Sequence, residues 1–255
     1  MEAAFVLTGF VVGAVIGLSG MGGGALMTPA LLFAGVPPTV AVGTDLLFAP
    51  LTKFCALVQH QRSGTVRWPL VRLLALGSLP GAALALLVVS RLVADGADLQ
   101  RLIVGTLSVS LVATALMLLL GRTRHAAGRH SLIPPSWQAP LTVAAGAVVG
   151  VLVALSSVGA GALGVAVLFL LYPALPAARI VGSDIAHALP LALFAGLWHL
   201  GLGHVDFALL GSLLLGSLPG TYLGSRAALA MPEPVMRPLL GGVLLAIGVG
   251  MAVHV

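Results

Sequence analysis

The sequence predicts an all-α polytopic membrane protein made of two inverted structural repeats. Each repeat holds about five helical segments, of which the second is short or broken. The first observation is composition: 59% of the 255 residues are hydrophobic and only 7% are charged, whereas about a quarter are charged in a soluble domain. The second is that several continuous apolar runs approach or exceed the roughly 18 residues that span a bilayer core. Continuous runs indicate helices, because a β-barrel requires alternation.

The third observation is an internal duplication. Two short motifs recur in the same order and with the same spacing: "VGTD" at 42–45 followed by "GSLPG" at 77–81, and "VGSD" at 181–184 followed by "GSLPG" at 216–220. A shift of 137 aligns residues 9–26 with 146–163, with ten identities in eighteen positions. Internal repeats are typical of transporter folds.

Sliding a window along the sequence to find apolar runs predicts five helical segments in each repeat. The first repeat has 3–19, a short segment near 25–35, then 42–60, 69–90 and 101–120. The second has 140–158, a short segment near 162–172, then 182–200, 206–224 and 237–254. The predicted organisation is therefore a first transmembrane repeat (1–120), a cytoplasmic linker (121–139) and a second transmembrane repeat (140–255).

Arginines set the predicted orientation. With loop 60–72 in the cytoplasm, nine arginines fall inside and two outside, as the positive-inside rule favours. An odd number of passes per repeat inverts the two units and puts both termini outside, whether the short segments span or re-enter. The basic residues thus orient the chain in a lipid bilayer, expected to be the bacterial cytoplasmic (inner) membrane, and predict no nucleic-acid partner. Homo-oligomerisation is left open.

The repeated "GSLPG" places Pro80 and Pro219 near the middle of the fourth segment of each repeat. Proline disrupts the helical hydrogen-bond ladder, and small residues allow neighbouring helices to approach closely. We interpret the motif as a packing kink; direct contact with a ligand is the alternative.

Glycine-rich breaks separate the first and second segments of each repeat. Exposed backbone N–H groups at a helix start form an anion site, and serine hydroxyls add donors. Two such breaks meeting near the midplane predict a binding site for a small anion; tight turns are the alternative. The predicted binding residues are Ser19, Gly22, Gly23 and Gly24 in the first repeat and Ser156, Ser157, Gly159 and Gly161 in the second.

The "VGTD" and "VGSD" motifs are expected to open the third segment of each repeat. One interpretation is helix capping by these polar side chains. The other is function, because carboxylates at membrane depth tend to mark ion or proton pathways. On the second interpretation Thr44 and Ser183 bind the anion, and Asp45 and Asp184 couple its movement to protons.

Further ionisable residues lie in the same segments. Lys53 is predicted to attract the anion, with snorkelling or a structural ion pair as alternatives. His187 can share a helix face with Asp184, so we assign it to proton coupling, with a hydrogen bond to a carbonyl as the alternative. His60 and His199 are interpreted as interfacial.

The sequence predicts no enzymatic activity, no cofactor and no metal site. It has no P-loop, nucleophile elbow, nucleotide fingerprint or metal-spaced His/Cys cluster, and Cys55 is the sole cysteine.

The stretches "GAVIGLSGMGGGALMTPALL" and "AVGTDLL" resemble the TauE/SafE family of sulfite-exporter-like membrane proteins. The second repeat resembles it less closely, with "VGAG" in the glycine-rich stretch, Ala166 where Pro29 stood and "VGSD". The resemblance covers nearly the whole chain. It implies proton-linked transport of sulfite, a sulfonate or a related small organic anion. The alternatives are a carrier of another small organic anion such as a carboxylate, and a non-transporting assembly or sensor protein.

Overall fold

The computed structural model of the chain describes residues 2–19, 24–92, 96–120, 133–159, 161–228 and 233–253. These residues form helices and connecting turns, with no strand among them. The helices, in order, are α1 (Glu2–Ser19), α2 (Gly24–Phe33), α3 (Pro38–Arg62), α4 (Trp68–Leu92), α5 (Gly96–Leu120), α6 (Pro135–Ser156), α7 (Ala162–Leu171), α8 (Ala177–Gly201), α9 (Phe207–Ala228) and α10 (Glu233–Val253).

Six of the described helices are long and apolar enough to cross a membrane: α3, α4, α5, α6, α8 and α9. α1 and α10 contain shorter apolar stretches. α2 and α7 have 10 residues each, or about 15 Å of helix at 1.5 Å per residue. Since the hydrocarbon core is about 30 Å thick, neither crosses alone. The predicted all-helical membrane fold with short second helices is confirmed.

Helix packing follows the duplication. α1 packs on α9 as α6 packs on α4, and α3 contacts α9 as α8 contacts α4. The remaining large contacts join equivalent helices, α3 with α8 and α5 with α10. Each repeat therefore contributes helices to a shared interior. That the repeats are inverted stays a prediction.

The "GSLPG" motifs lie where helices approach most closely. A Cβ atom at Gly77 would collide with the backbone of α6 at Val143, and one at Gly216 would collide with the backbone of α1 at Val6. Glycine is required at both positions because there is no room for a side chain. Close packing at the motif is confirmed. Both prolines lie inside their helices, and a kink at them stays a prediction.

Several helices begin earlier than predicted. α3 begins at Pro38 instead of 42, and α8 at Ala177 instead of 182. Both follow a proline, Pro37 or Pro176, at the N-cap. The apolar windows missed these first turns because prolines, alanines and polar residues dilute them, although proline suits a helix start. α6 begins at Pro135, so the predicted linker ends before 139; residues 121–132 lie outside the described part of the chain.

Candidate functional site

Two carboxylates lie in the interior of the paired helices α3 and α8. Asp45 and Asp184 are 0% and 1% exposed. Each follows the first residue of its helix by seven positions, or about 10 Å of helix. The expectation that they open these helices is wrong, and so is their interpretation as caps of α3 and α8, because Pro37 and Pro176 occupy the N-cap positions.

Thr44 and Ser183 link the two repeats. The backbone N–H of Asp206, just before α9, donates to Thr44 Oγ1 at 3.2 Å. The backbone N–H of Arg67, just before α4, donates to Ser183 Oγ at 2.9 Å. These hydroxyls therefore satisfy backbone donors at helix starts in the opposite repeat, a role that the sequence did not suggest. Their assignment to anion binding stays a prediction.

Asp45 has one satisfied and one open carboxylate oxygen. Thr28, buried in α2, donates from Oγ1 to Asp45 Oδ2 at 2.5 Å, whereas Oδ1 has no hydrogen-bond partner among the described residues. The Ser157 side chain lies beside this carboxylate, and its buried hydroxyl also lacks a partner there. Sequence reasoning missed Thr28, although a hydroxyl next to Pro29 in an apolar segment was a usable signal.

Asp184 has neither oxygen satisfied within the described chain. Its carboxylate lies against Gly164 in the first turn of α7, where a Cβ atom would overlap Oδ1. A helix N-terminus favours negative charge, so Asp184 occupies the kind of position that the sequence predicted for a bound anion. The shift of 137 places Val165 at the position of Thr28, and valine supplies no hydroxyl.

Lys53 is buried in α3, with 9% of its surface exposed. It lies near enough to Asp184 and Asp45 to interact with both electrostatically, and its charge also acts on His187. α3 and α8 thus bring together the ionisable residues that the sequence singled out. We call Asp45, Lys53, Asp184 and His187 the central cluster.

His187 connects this cluster to the first "GSLPG" motif. Its Nε2 lies 2.7 Å from the Ser78 hydroxyl, while its buried Nδ1 has no partner among the described residues. In the second copy of the motif, Ser217 instead donates to the carbonyl of Leu214 within its own helix. The motif therefore packs helices in both repeats and contacts a functional candidate in one.

The structure describes the glycine-rich break of the second repeat more completely than that of the first. Gly22 and Gly23 lie outside the described residues, and Ser19 and Gly24 are described only as the last residue of α1 and the first residue of α2. In the second repeat α6 ends at Ser156, and its C-cap Ser157 has a left-handed φ of 59°; Gly159 and Gly161 have φ of 129° and 134°. Ser156 donates to the carbonyl of Leu152 at 2.7 Å. A break between α6 and α7 is thus confirmed, and anion binding at it stays a prediction.

His199 is buried among its neighbours, with 5% of its surface exposed. It lies two residues before the end of α8, and its interpretation as interfacial stays a prediction. Its Nε2 lies 3.0 Å from the carbonyl oxygen of Ala154 and its Nδ1 lies 3.3 Å from Nδ1 of His204. The equivalent histidine, His60, pairs with the Thr65 hydroxyl at 2.8 Å and is half-buried. Burial follows from the packing of the loop after α8 against Gly43 of α3.

The cluster is suited to binding ions and protons. Buried polar atoms in folded proteins are almost always hydrogen-bonded, so open positions mark places where a ligand, water or proton can be accommodated. Here they are concentrated on Asp45, Ser157, Asp184 and His187. Among the described residues, no three metal-ligating side chains are grouped to hold a metal ion. Spanning helices around buried ionisable groups define a polytopic membrane protein of the transporter class.

Residues 5–251 match the family described as Sulfite exporter TauE/SafE. The chain belongs to this family. It is similar to the "Probable membrane transporter protein YjnA" of Bacillus subtilis, with 36% identity over 97% of this chain and 98% of the relative. It is also similar to YdhB of the same organism, with 25% identity over 94% and 98% of the two chains. The ORF9 protein of a Sinorhizobium species is 28% identical over 97% of this chain and 90% of the relative.

No solved structure matches the chain significantly. The protein is an integral membrane transporter, and a non-enzymatic role agrees with the names of its relatives.

Proposed function

We propose that this protein is a secondary transporter that moves a small sulfur-containing anion, of the sulfite or organosulfonate class, together with protons across a bacterial cytoplasmic membrane. The observation that carries the proposal is the central cluster, where Lys53 lies among carboxylates whose hydrogen-bonding positions are open. The family description, which names sulfite, supports the choice of anion.

Charge balance supports coupling to protons. With Lys53 charged and both carboxylates ionised, the cluster already has one negative charge in excess. A monovalent anion would add a second, and unbalanced charges in a low-dielectric interior cost several kcal/mol each. Protonation of one carboxylate for each bound anion keeps the total charge constant. The anion and a proton should therefore bind together.

Asp184 is the proposed proton acceptor, because both of its oxygens are open whereas Asp45 already accepts from Thr28. His187, on the same face of α8, is placed to receive a proton through its open Nδ1. Its Nε2 contact with Ser78 fixes the orientation of the ring. Lys53 is proposed to attract the anion itself.

The test is a flux screen of the purified full-length protein in proteoliposomes with an internal pH dye. Sulfite, thiosulfate, ethanesulfonate and acetate are offered in turn. We expect a sulfur-containing anion to enter with measurable proton uptake. Lys53→Met, similar in length but uncharged, should weaken anion affinity by about tenfold or more, since a factor of ten corresponds to only 1.4 kcal/mol. Arg62→Met, which removes an exposed charge at the end of α3, is the matched control.

Each result decides between the alternatives. Transport of acetate in preference to the sulfur anions would indicate a carboxylate carrier. Parent-like affinity of Lys53→Met at every pH would make this lysine structural and refute the site assignment. Absence of flux for all four anions, in protein shown to be folded, would favour a non-transporting role.

A further inference from the structure

A separate cavity of about 130 Å³ lies between the end of α8 and the ends of the helices around it. Its wall is mostly apolar, with Leu86 and Ile103 among the side chains that line it. The polar residues in its lining are Thr39, Ser90, His199 and His204. The described lining contains no acidic residue. We call this cavity the vestibule.

The hydrogen bonds determine which ring nitrogen of each histidine carries the proton. The carbonyl oxygen of Ala154 can only accept, so His199 must donate to it from Nε2–H. In neutral His199 the other nitrogen, Nδ1, is then an acceptor, and His204 must donate to it from its own Nδ1–H. The Nε2 of His204 remains for a ligand or a proton. When protonated, His204 keeps its bond to His199 and gains an N–H donor at Nε2.

We propose that the vestibule binds a short organic anion, such as an alkyl sulfonate, through protonated His204 before the anion reaches the central cluster. The cationic ring pairs with the acidic group, the Thr39 and Ser90 hydroxyls are available as further donors, and the apolar wall covers the short hydrocarbon part. A volume of about 130 Å³ corresponds to roughly four molecules of liquid water, which limits the ligand to a few heavy atoms. The proposal rests on the proposed function for the identity of the anion and for its onward passage to the central cluster.

The vestibule adjoins the central cluster along two helices. Thr39 precedes Asp45 by six residues in α3, or about 9 Å of helix, and Leu155 of the lining precedes Ser157 by two residues. An anion leaving the vestibule would therefore meet the open oxygen of Asp45 and the hydroxyl of Ser157 next. The beginning of α3 and the end of α8 form the side of the protein predicted to face outside.

His204 titrates in a setting with few competing charges. Its ring contacts His199. The nearby Asp206 carboxylate accepts from the N–H groups of Ala208 and Leu209. On the lining helices, the charged residues nearest to the vestibule along the chain are the exposed Asp98–Arg101 pair on α5, Arg91 at the end of α4 and Asp45 in α3. Further along these helices lie Lys53 and Arg62 in α3, Arg72 in α4, and Arg179 and Asp184 in α8, whereas described α6 has no charged residue.

Burial lowers the pKa of His204 below its ordinary value of 6.5. At neutral pH the ring is therefore mostly uncharged, and anion binding must be accompanied by uptake of a proton. Acidification raises the protonated fraction by about tenfold per pH unit above the pKa. The vestibule should accordingly fill when the solution that it faces is acidic and empty when the pH of that solution rises.

The test separates the two sites by mutation of the full-length protein. Ethanesulfonate binding is measured calorimetrically at pH 7.5 and 5.5 in Lys53→Met and in Lys53→Met with His204→Thr. Threonine is chosen because Thr65, the equivalent residue of the other repeat, already pairs with a histidine in the same kind of loop, so the variant should fold. We expect Lys53→Met to retain a weak site whose affinity rises about tenfold or more on acidification, and the double variant to lose it.

The proposal is overturned if Lys53→Met binds no ethanesulfonate at either pH, or if the double variant keeps the same pH-dependent binding. The ring nitrogen shifts of His204 in the Lys53→Met protein provide a second measurement: added ethanesulfonate at pH 6.5 should shift this ring toward its protonated form. Unchanged ring nitrogen shifts of His204 at saturating ethanesulfonate would contradict the assignment.

Intact uptake by the His204→Thr single variant, with unchanged affinity, would refute anion binding in the vestibule and leave the central site standing. Vestibule binding without transport would refute the proposed function instead.

Discussion

At the scale of single residues, one hydroxyl makes the two buried carboxylates unequal. Thr28 donates to Asp45 at 2.5 Å, and the aligned position of the second repeat is Val165, which leaves Asp184 without such a donor. Two acids in duplicated helices are thereby held differently. One is fixed by a short hydrogen bond, and the other is open to a proton or a ligand.

This difference can be tested by exchanging the two side chains. Thr28→Val removes a donor to the ionised form of Asp45, and such a hydrogen bond is worth about 1.5–3 kcal/mol. If Asp45 takes part in coupling, the pH of half-maximal anion uptake should rise by about one unit, since 1.4 kcal/mol corresponds to one pH unit. Val165→Thr, which offers Asp184 a donor, should shift the profile in the opposite direction. pH profiles of proteoliposome uptake provide the measurement.

Thr28→Ser is the control for packing, because it keeps the hydroxyl while losing a methyl group. It should restore the parent profile. A Thr28→Val profile that coincides with those of the parent and Thr28→Ser would show that the Asp45 carboxylate does not titrate during transport. That outcome would leave Asp184 as the sole candidate of the pair.

The sequence predicted which residues are ionisable at membrane depth, but not how they are held. Asp45, Lys53, Asp184 and His187 could be named because charges in apolar runs stand out. Their neighbours could not, because Thr28 reaches Asp45 and Ser78 reaches His187 across contacts between different helices. Thr44 and Ser183 show the same limit: local sequence suggested capping, and the structure pairs each with a helix start in the other repeat.

At the scale of helices, close approach at glycine governs how α4 packs on α6. Alanine normally stabilises a helix relative to glycine by about 1 kcal/mol. At Gly77, however, the added methyl group would collide with the Val143 backbone, and overpacking typically costs about 1–3 kcal/mol. Gly77→Ala should therefore lower the thermal unfolding midpoint in detergent.

Gly105→Ala is the matched comparison, because Gly105 also lies within a helix but has open space where the methyl group would go. Its midpoint should be unchanged or higher. Equal midpoints for the two variants would mean that α4 and α6 separate readily enough to admit a side chain. The close packing would then not constrain this interface.

Helix boundaries were the least predictable feature of the fold. Apolar windows located the helical segments but began α3 and α8 several residues late, because their first turns contain alanine, proline and polar residues. That error led directly to the wrong placement of Asp45 and Asp184 at helix starts. Asp45 and Asp184 are functional candidates because they are buried two turns into their helices. This position could be recognised only from the full extent of α3 and α8.

At the scale of the whole molecule, the repeats match in packing and differ in charge. The equivalent loops after α3 and α8 each contain a glycine with left-handed φ, Gly64 in the first and Gly203 in the second. Three residues after this glycine, the first loop has Arg67 and the second has Asp206. If the repeats are inverted, these loops lie on opposite sides of the membrane. The arginine then lies on the cytoplasmic side, as the positive-inside rule requires.

Accessibility of the two loops gives the decisive test of this architecture. Ser63 and Leu202 are equivalent, exposed residues that follow α3 and α8, so single cysteines at these positions form a matched pair. Cys55 is free and exposed and must first be replaced by serine. In intact cells, a membrane-impermeant maleimide should label Leu202→Cys and not Ser63→Cys, while both should react after the membrane is opened.

Labelling of both cysteines from outside, or of neither, would place the two loops on the same side of the membrane and show that the repeats are parallel. Labelling of Ser63→Cys alone would keep the inversion but reverse the orientation, and the vestibule would then face the cytoplasm.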